Sequence, residues 1–235
     1  MSKHITIKTL CVAVVITFAG INAQAQLSHL EQSFYLNGNI PTGQFATNID
    51  AIPMTQYDMG KDAIMGMGLG YRASYRFDIG FGEVSPYLHV DFNWNAIRGS
   101  HRDAYTTAEC SKPNYINIPV FAGVNYRYQL TSILTPFAEF GLGADYLMIT
   151  KEGGSNTIPT MRYKSSGAFA WQIGLGTYLG QHVSASFHYN GYGKHTMQYT
   201  SSTNLTGTEY EPMSGIQNAQ LRRIGAISLR IGFHF

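Results

Sequence analysis

Eight charged residues could carry chemistry in this sequence, because each falls on the polar side of a segment in which polar and apolar residues alternate. They are Arg72, Arg76, Asp91, Arg127, Glu139, Asp145, Arg222 and Arg230. Arginines and carboxylates gathered in one enclosed space can line a polar conduit or perform acid–base catalysis. They can also pair with one another and fill a narrow interior, since buried charges need partners. We favour pairing, and predict a structural charge network.

A second candidate is the pair Ser186 and His188, which lie two residues apart and share the polar face of one segment. A serine beside a histidine can form a nucleophile and its base, but no supporting acid can be identified from this segment. Asn190 lies two residues after His188, on the same face, and its amide cannot act as the nucleophile. The scattered histidines, among them His89, His182 and His234, lack the spacing of a metal site. The sequence therefore predicts no catalytic, cofactor-binding or metal-binding residue, and no cofactor.

The element that positions these residues is clearest at the end of the chain, from Leu221 to Phe235. In this segment Ile227, Leu229, Ile231, Phe233 and Phe235 share one face, and Ser228, Arg230 and His234 share the other. A period of two predicts a β-strand with one apolar and one polar face. The segment is longer than an ordinary strand of ~5–6 residues and suits a strand that crosses a bilayer, which needs ~9–11 residues.

Seven further segments alternate in the same way, and the connections between the eight are by turns long and short. The predicted strands are Ser33–Ile40, Ile64–Asp78, Tyr87–Ile97, Tyr115–Tyr128, Thr135–Met148, Ser166–Tyr178, His182–Lys194 and Leu221–Phe235, with long loops near 41–62, 98–113, 149–165 and 195–218. An even number of strands with long loops at one end and short turns at the other is typical of outer-membrane barrels. The predicted fold class is all-β, an eight-stranded antiparallel up-and-down transmembrane β-barrel, and a soluble β-sandwich is the alternative.

Strand pairing can be predicted from the short turns, because paired residues must share a face. If the turn after Asp78 is centred between residues 81 and 82, Arg72 lies opposite Asp91 inside the barrel. The same register places Tyr71 opposite Phe92 on the outer face.

The first 25 residues have the features of a secretory signal peptide, with cleavage after Ala25. Lys3 and Lys8 precede an apolar core at 10–21, and Ala23-Gln24-Ala25 has the small residues of a cleavage site. Removing this segment leaves 14 basic and 14 acidic residues, so the mature domain, residues 26–235, has no net charge to attract nucleic acid. One cysteine remains, Cys110, and it cannot form an internal disulfide.

Four segments resemble the small eight-stranded outer-membrane β-barrel proteins of Bacteroides-type bacteria, often described as porin-family proteins. They are FYLNGNIPTGQF (34–45), GMGLGYRASYRF (66–77), YINIPVFAGVNYRY (115–128) and the ending SLRIGFHF. The resemblance covers the whole mature chain and implies the barrel, export to the cell outer membrane, and Phe235 as the terminal residue presented to the barrel assembly machinery. It implies no particular function.

The leading function is that of a monomeric structural or surface-interaction protein with a filled lumen, which contacts an extracellular ligand or protein through its loops and outer-membrane lipid through its wall. The alternative is a narrow pore or a barrel that binds or transports a small ligand. A lipid A-modifying enzyme is less favoured: compared with eight-stranded lipid A deacylases, which place a His and a Ser two residues apart, Asn190 stands at the serine position.

Overall fold

The computed structural model describes residues 29–46, 63–97, 113–151, 160–202 and 213–235. The barrel lies in the unit Glu31–Phe235. The predicted signal peptide and Cys110 lie outside the described residues, so the cleavage after Ala25 stays a prediction.

Ten β-segments make up eight barrel strands, as the alternation predicted. β3 continues β2 along β4 after a break at Arg76, and β7 continues β8 along β9. The segments are β1 (Leu30–Thr42), β2 (Gly66–Tyr75), β3 (Phe77–Asp78), β4 (Glu83–Ala96), β5 (Asn114–Arg127), β6 (Leu134–Ile149), β7 (Thr160–Tyr163), β8 (Ser166–Leu179), β9 (Val183–Ser202) and β10 (Met213–His234). Neighbouring barrel strands pair in antiparallel fashion around the sheet.

The sheet closes where β10 pairs with both β9 and β1. At the seam, Gln32 and Phe235 exchange two backbone hydrogen bonds of 3.0 Å. Closure leaves no barrel strand of the described sheet at an open edge, and a sheet that crosses lipid needs such closure so that its backbone groups are paired. The eight-stranded antiparallel barrel is thereby confirmed.

The apolar residues face outward and the polar residues face the lumen. On β10, Leu229 and Ile231 are 55% and 51% exposed, whereas Ser228 and Arg230 are 1% and 2% exposed. The strands β1, β2, β4, β5, β6 and β8 show the same alternation of burial. An outer surface of leucine, isoleucine, valine and phenylalanine is stable only against lipid.

Aromatic girdles lie at the two ends of the apolar wall. Trp94, Tyr146, Trp171 and Tyr189 are partly exposed near the end that carries the long connections. Phe77, Phe81, Tyr126, Tyr128 and Phe235 are exposed near the end that carries the short turns and the chain's last residue. Such girdles mark both interfaces of outer-membrane-type barrels, whose short turns face the periplasm and whose long loops face outward. The chain is therefore a transmembrane barrel of the outer-membrane type. Within the described ranges, no helix is long and apolar enough to span a membrane.

The predicted register of the hairpin that β2 and β3 form with β4 was wrong by two residues. Arg72 pairs with His89, not Asp91, and Asp91 pairs with Gly70. The reason is a tighter turn: Asp78 pairs with Glu83, Ile79 N donates to Gly82 O at 3.0 Å, and Asp78 Oδ1 accepts from Gly80 N. Gly80, at φ 86°, takes a backbone conformation that few other residues adopt. The face assignments hold, because a shift of two preserves them.

Two of the predicted loops are partly strand. β7 lies within the predicted loop 149–165, and β9 and β10 run well into the predicted loop 195–218. Tyr199 pairs with both Tyr163 and Gln217, so three strands continue past the barrel mouth as a ribbon. The polar sequence of these strand segments did not predict them, because a strand outside lipid needs backbone pairing but no apolar face.

Candidate functional site: the barrel lumen

The lumen has a central charged layer, in which Arg72 on β2 contacts Glu139 on β6. Arg72 Nη1 and Nη2 donate to the two oxygens of Glu139 at 2.7 and 2.6 Å. Both side chains are buried, and the guanidinium lies 4.2 Å from the ring centroid of Tyr87. A bidentate arginine–carboxylate pair with an aromatic face beside it is among the stronger ionic arrangements in proteins.

The second pair of the central layer joins Arg230 on β10 to Asp91 on β4. Arg230 Nη2 donates to Asp91 Oδ2 at 2.8 Å, and Nη1 donates to Gln172 at 3.1 Å. The other Asp91 oxygen accepts from Asn37 at 2.7 Å, and His89 Nε2 lies 2.9 Å from Asp91 Oδ2. Four strands thus converge on one buried charge pair, and the pair spans the lumen from wall to wall.

Ser186, His188 and Glu139 come together beside these pairs. His188 Nε2 lies 2.9 Å from Ser186 Oγ, and His188 Nδ1 lies 3.4 Å from Glu139 Oε1. The acid that the sequence of β9 did not supply thus comes from β6, and the three residue types are those of a nucleophilic triad.

Two arginines oppose that use of the three residues. Arg72 already holds both oxygens of Glu139, and Arg230 Nη1 lies 3.4 Å from the same His188 Nδ1. A general base must gain a positive charge as it takes the serine proton, and a guanidinium at this distance repels that charge. All three side chains are also buried, with Ser186 9% exposed, so the arrangement favours a packed polar core over catalysis.

A layer of neutral side chains lies above the central layer, toward the long connections. Asn190 Nδ2 donates to Ser228 Oγ at 2.7 Å, and Ser228 Oγ donates to Asn39 Oδ1 at 2.5 Å. Asn39 Nδ2 continues to Asn93 Oδ1 at 2.6 Å, and Asn93 Nδ2 contacts the Tyr192 hydroxyl at 3.3 Å. This chain of hydrogen bonds, the amide layer, crosses the lumen.

An apolar plug closes the lumen at its extracellular mouth. The chain leaves β1 in a 3-10 helix, Gly43–Ala46, that places Phe45 at 0% exposure. The Phe45 and Tyr115 rings pack edge to face, with their centroids 5.2 Å apart. Both residues belong to one buried cluster with Leu147, Ile149 and Ile224. The Phe45 carbonyl accepts from Ala63 N at 3.1 Å, which ties the plug to the start of the next hairpin.

A third charged group closes the periplasmic end. Glu31 contacts Arg127 Nη1 at 3.0 Å, His234 Nδ1 at 3.3 Å and Arg76 Nε at 3.8 Å. The Arg127 guanidinium lies 4.6 Å from the ring centroid of Tyr178. Charged, neutral and apolar layers therefore follow one another along the barrel axis.

Glycines on the lumen face make room for these large side chains. A Cβ at Gly123 would meet the Tyr87 ring, a Cβ at Gly141 would meet the Tyr87 hydroxyl, and a Cβ at Gly174 would meet the His188 ring. A Cβ at Gly70 would meet the Asp91 carboxylate. Small barrels alternate small and large interior residues in this way to pack their interior.

The residues of the predicted charge network have different locations. The central layer contains Arg72, Asp91, Glu139 and Arg230, whereas Arg127 lies in the periplasmic group. Asp145 lies nearer the mouth, 3.1 Å from His195 Nε2, and Arg76 stands at the periplasmic rim with its side chain 38% exposed. The Arg222 side chain lies outside the described part of the chain. Phe235 faces outward and is 62% exposed, and its ring centroid lies 5.7 Å from that of Phe34.

Sequence reasoning missed two partners in these groups, Glu31 and His195. Glu31 is in phase with Ser33 and Tyr35, so extending the alternation by two residues would have found it. His195 follows a β-bulge: Ile224 pairs with Gly193 and Gly225 with Gly191, which leaves Tyr192 as an extra residue. After the bulge, the odd-numbered residues of β9 face the lumen in place of the even-numbered ones. In the sequence, only the glycines around the bulge indicate this change. Among the described residues, no group of three or more His, Cys, Asp or Glu could hold a metal ion.

Comparison with known proteins adds little beyond this geometry. No family model matches the sequence, and no curated protein matches it at a significant level. Solved structures that align with the chain include a major outer membrane protein from Thermus thermophilus. It has 14% identity and a TM-score of 0.49, over 88% of this chain and 99% of that one.

Two other aligned structures differ in what their names describe. Ail, the attachment invasion locus protein of Yersinia pestis, aligns with 10% identity and a TM-score of 0.43, over 88% of this chain and 99% of that one. The outer membrane enzyme PagL aligns with 13% identity and a TM-score of 0.38, over 86% of this chain and 97% of that one. At these similarities the alignments carry no argument about activity, and the assignment as a transmembrane barrel of the outer-membrane type rests on strand closure, the apolar wall and the girdles.

Proposed function

We propose that this protein is a closed outer-membrane barrel that acts at the cell surface, with its lumen charges in a structural role. The observation that carries the proposal is the filled lumen: paired charges, the amide layer and the Phe45 plug occupy successive levels of the barrel. Eight strands leave an interior just wide enough for side chains. The surface-interaction role is then carried out at the extracellular end, where the ribbon of β7, β9 and β10 extends past the mouth.

The finer family assignment is part of the same proposal. The segments at 34–45, 66–77 and 115–128 and the aromatic ending support a place among the small porin-family barrels of Bacteroides-type bacteria. The partners of the proposal are outer-membrane lipid around the wall, the assembly machinery at Phe235, and an extracellular ligand or protein at the ribbon and loops.

A ribbon deletion tests where activity lies. Residues 196–220 are replaced by Asn-Gly, a short turn suited to a hairpin, and both chains are displayed on Gram-negative cells. A shift in gel mobility on heating, seen for each protein, would show that both barrels fold. We expect only the full chain to increase cell–cell or cell–matrix adhesion over cells with an empty vector, whereas equal adhesion by both chains would refute a role for the ribbon.

A narrow pore is the competing function. It requires a continuous water path past Arg72, Arg230 and Phe45, and each of these is 2% exposed or less. An enzymatic role has the juxtaposition of Ser186, His188 and Glu139 in its favour, but the two arginines and the burial described above oppose it.

A further inference from the structure

Two cations stand side by side on the outer wall near the barrel mouth. Lys194 on β9 pairs directly with Arg223 on β10, and both side chains are exposed. Like charges directly opposite each other on neighbouring strands destabilise a sheet. Among the side chains that the structure describes, no carboxylate forms an ion pair with either cation.

The height of this pair relative to the membrane follows from the residues beneath it. The apolar outward residues of β10 run from Phe235 up to Ile227, and the next outward positions are Gly225 and Arg223. Four residues of strand rise about 13 Å along its axis, or about 10 Å along the membrane normal for a strand tilted by ~40°. The cations therefore lie above the apolar band, at the level of lipid headgroups.

The wall below the pair is suited to a lipid chain. The Trp171 and Tyr189 rings lie together at 5.4 Å and form the girdle on this side. Below them, Phe187 and Leu229 are at least half exposed. Aromatic rings at the interface, an apolar wall beneath and two cations above match the parts of an anionic lipid, from acyl chain to headgroup.

Two local features accompany the placement of the pair on the outer face. The backbone N–H of Arg223 donates to Gln44 Oε1 at 3.2 Å, and Gly193, at φ 79°, continues the bulge that begins at Tyr192. Without that bulge, Lys194 would point to the lumen and His195 to the lipid. The irregularity in β9 thus brings Lys194 to the outer face beside Arg223.

We propose that Lys194 and Arg223 bind the phosphate of a lipid headgroup in the outer leaflet. A phosphate between the two cations would offset their mutual repulsion and form charge-assisted hydrogen bonds with both. The inference rests on the outer-membrane residence proposed above and goes beyond it, because it assigns a lipid-binding site to particular residues.

Native mass spectrometry of protein purified from the outer membrane tests the proposal. The probes are bisphosphorylated lipid A, the same lipid with both phosphates removed, and inorganic phosphate. We expect the bisphosphorylated lipid to bind more tightly than its dephosphorylated form, and K194Q/R223Q to weaken its binding roughly thirtyfold, for two cations at a membrane surface. The control K151Q removes another exposed cation after β6 and should leave binding unchanged.

Three results would overturn the proposal. The first is equal binding of the two lipids by the unaltered protein. The second is binding of inorganic phosphate as tight as that of the lipid, which would indicate a site for the free anion. The third is a K194Q/R223Q protein that unfolds more easily and keeps its lipid affinity, which would indicate that the partner of the two cations lies within the protein itself. Heat-modifiable mobility, recorded separately, shows whether the barrel itself is folded.

Discussion

Arg72 and Glu139 are the lumen residues at which the cost of leaving a buried charge unpaired can be measured most directly. Replacing Arg72 by Leu leaves a buried carboxylate without its bidentate partner, and breaking a buried pair costs ~3–5 kcal/mol. We expect R72L to lower the free energy of unfolding by about that amount, measured by urea titration of the barrel in lipid vesicles.

Two matched variants decide whether this cost comes from the unpaired charge. R76L removes an arginine that is partly exposed and 3.8 Å from its partner, so its cost should stay below ~1 kcal/mol. The double variant R72L/E139L removes both charges and should recover much of the loss. A double variant as unstable as R72L would contradict the pairing account.

Ser186 gives a second test at the residue scale. Because Arg72 and Arg230 surround the groups that would activate it, we expect no covalent labelling of the folded barrel by a fluorophosphonate probe. S186A is the matched control for background labelling. Labelling of the unaltered protein that disappears in S186A would establish a reactive serine and reverse our account of the lumen.

Single residues also show what could be predicted from sequence. The inward positions of Arg72, Asp91, Glu139 and Arg230 follow from period-two alternation alone. Their partners do not, because Arg72 meets Glu139 across the lumen, and alternation along one strand contains no information about the opposite wall. His195 was unpredictable for a different reason, since one extra residue in β9 reverses the phase of everything after it.

Among the elements, β10 tests which face meets lipid. Leu229 points outward within the apolar band, so L229R should cost ~2–4 kcal/mol, as for cations placed near the bilayer midplane. Unfolding in vesicles measures the change. L130R, in an exposed periplasmic turn, is the control and should cost about 0–1 kcal/mol. Equal costs for the two variants would overturn the face assignment.

The 3-10 helix after β1 is tested by F45A. Truncating a buried phenylalanine to alanine costs ~3–5 kcal/mol, and we expect a lower unfolding midpoint for this variant. We do not expect conductance, because the amide layer and the central layer remain below the plug. Discrete current steps in F45A alone would mean that Phe45 is the main barrier to a water path.

At the level of elements, strand existence was predictable and strand extent was not. Lipid requires an apolar face, so the membrane-crossing parts of all eight strands are visible in the sequence. The ribbon of β7, β9 and β10 lies outside lipid, where pairing needs no such pattern. The turn after Asp78 shows the same limit, since its register depends on glycine conformations and local hydrogen bonds.

The whole molecule combines an apolar wall for lipid, a lumen filled by layers, and strands that extend beyond the mouth. Wall and closure follow from sequence patterning because the bilayer imposes them. The filling of the lumen follows only in part: the number of strands sets its width, but the layers depend on contacts between strands far apart in the chain. The plug was not predicted at all, because Phe45 lies in a segment without alternation.

Single-channel recording in planar bilayers tests the central claim, a filled lumen, most directly. Protein purified in its folded form, as judged by heat-modifiable mobility, is inserted at several salt concentrations beside a known porin that verifies insertion. We expect no discrete steps at any salt concentration, because charged, neutral and apolar layers fill successive levels of the barrel. Reproducible steps whose size rises with salt would contradict the account, since the arginines would then line a path for ions.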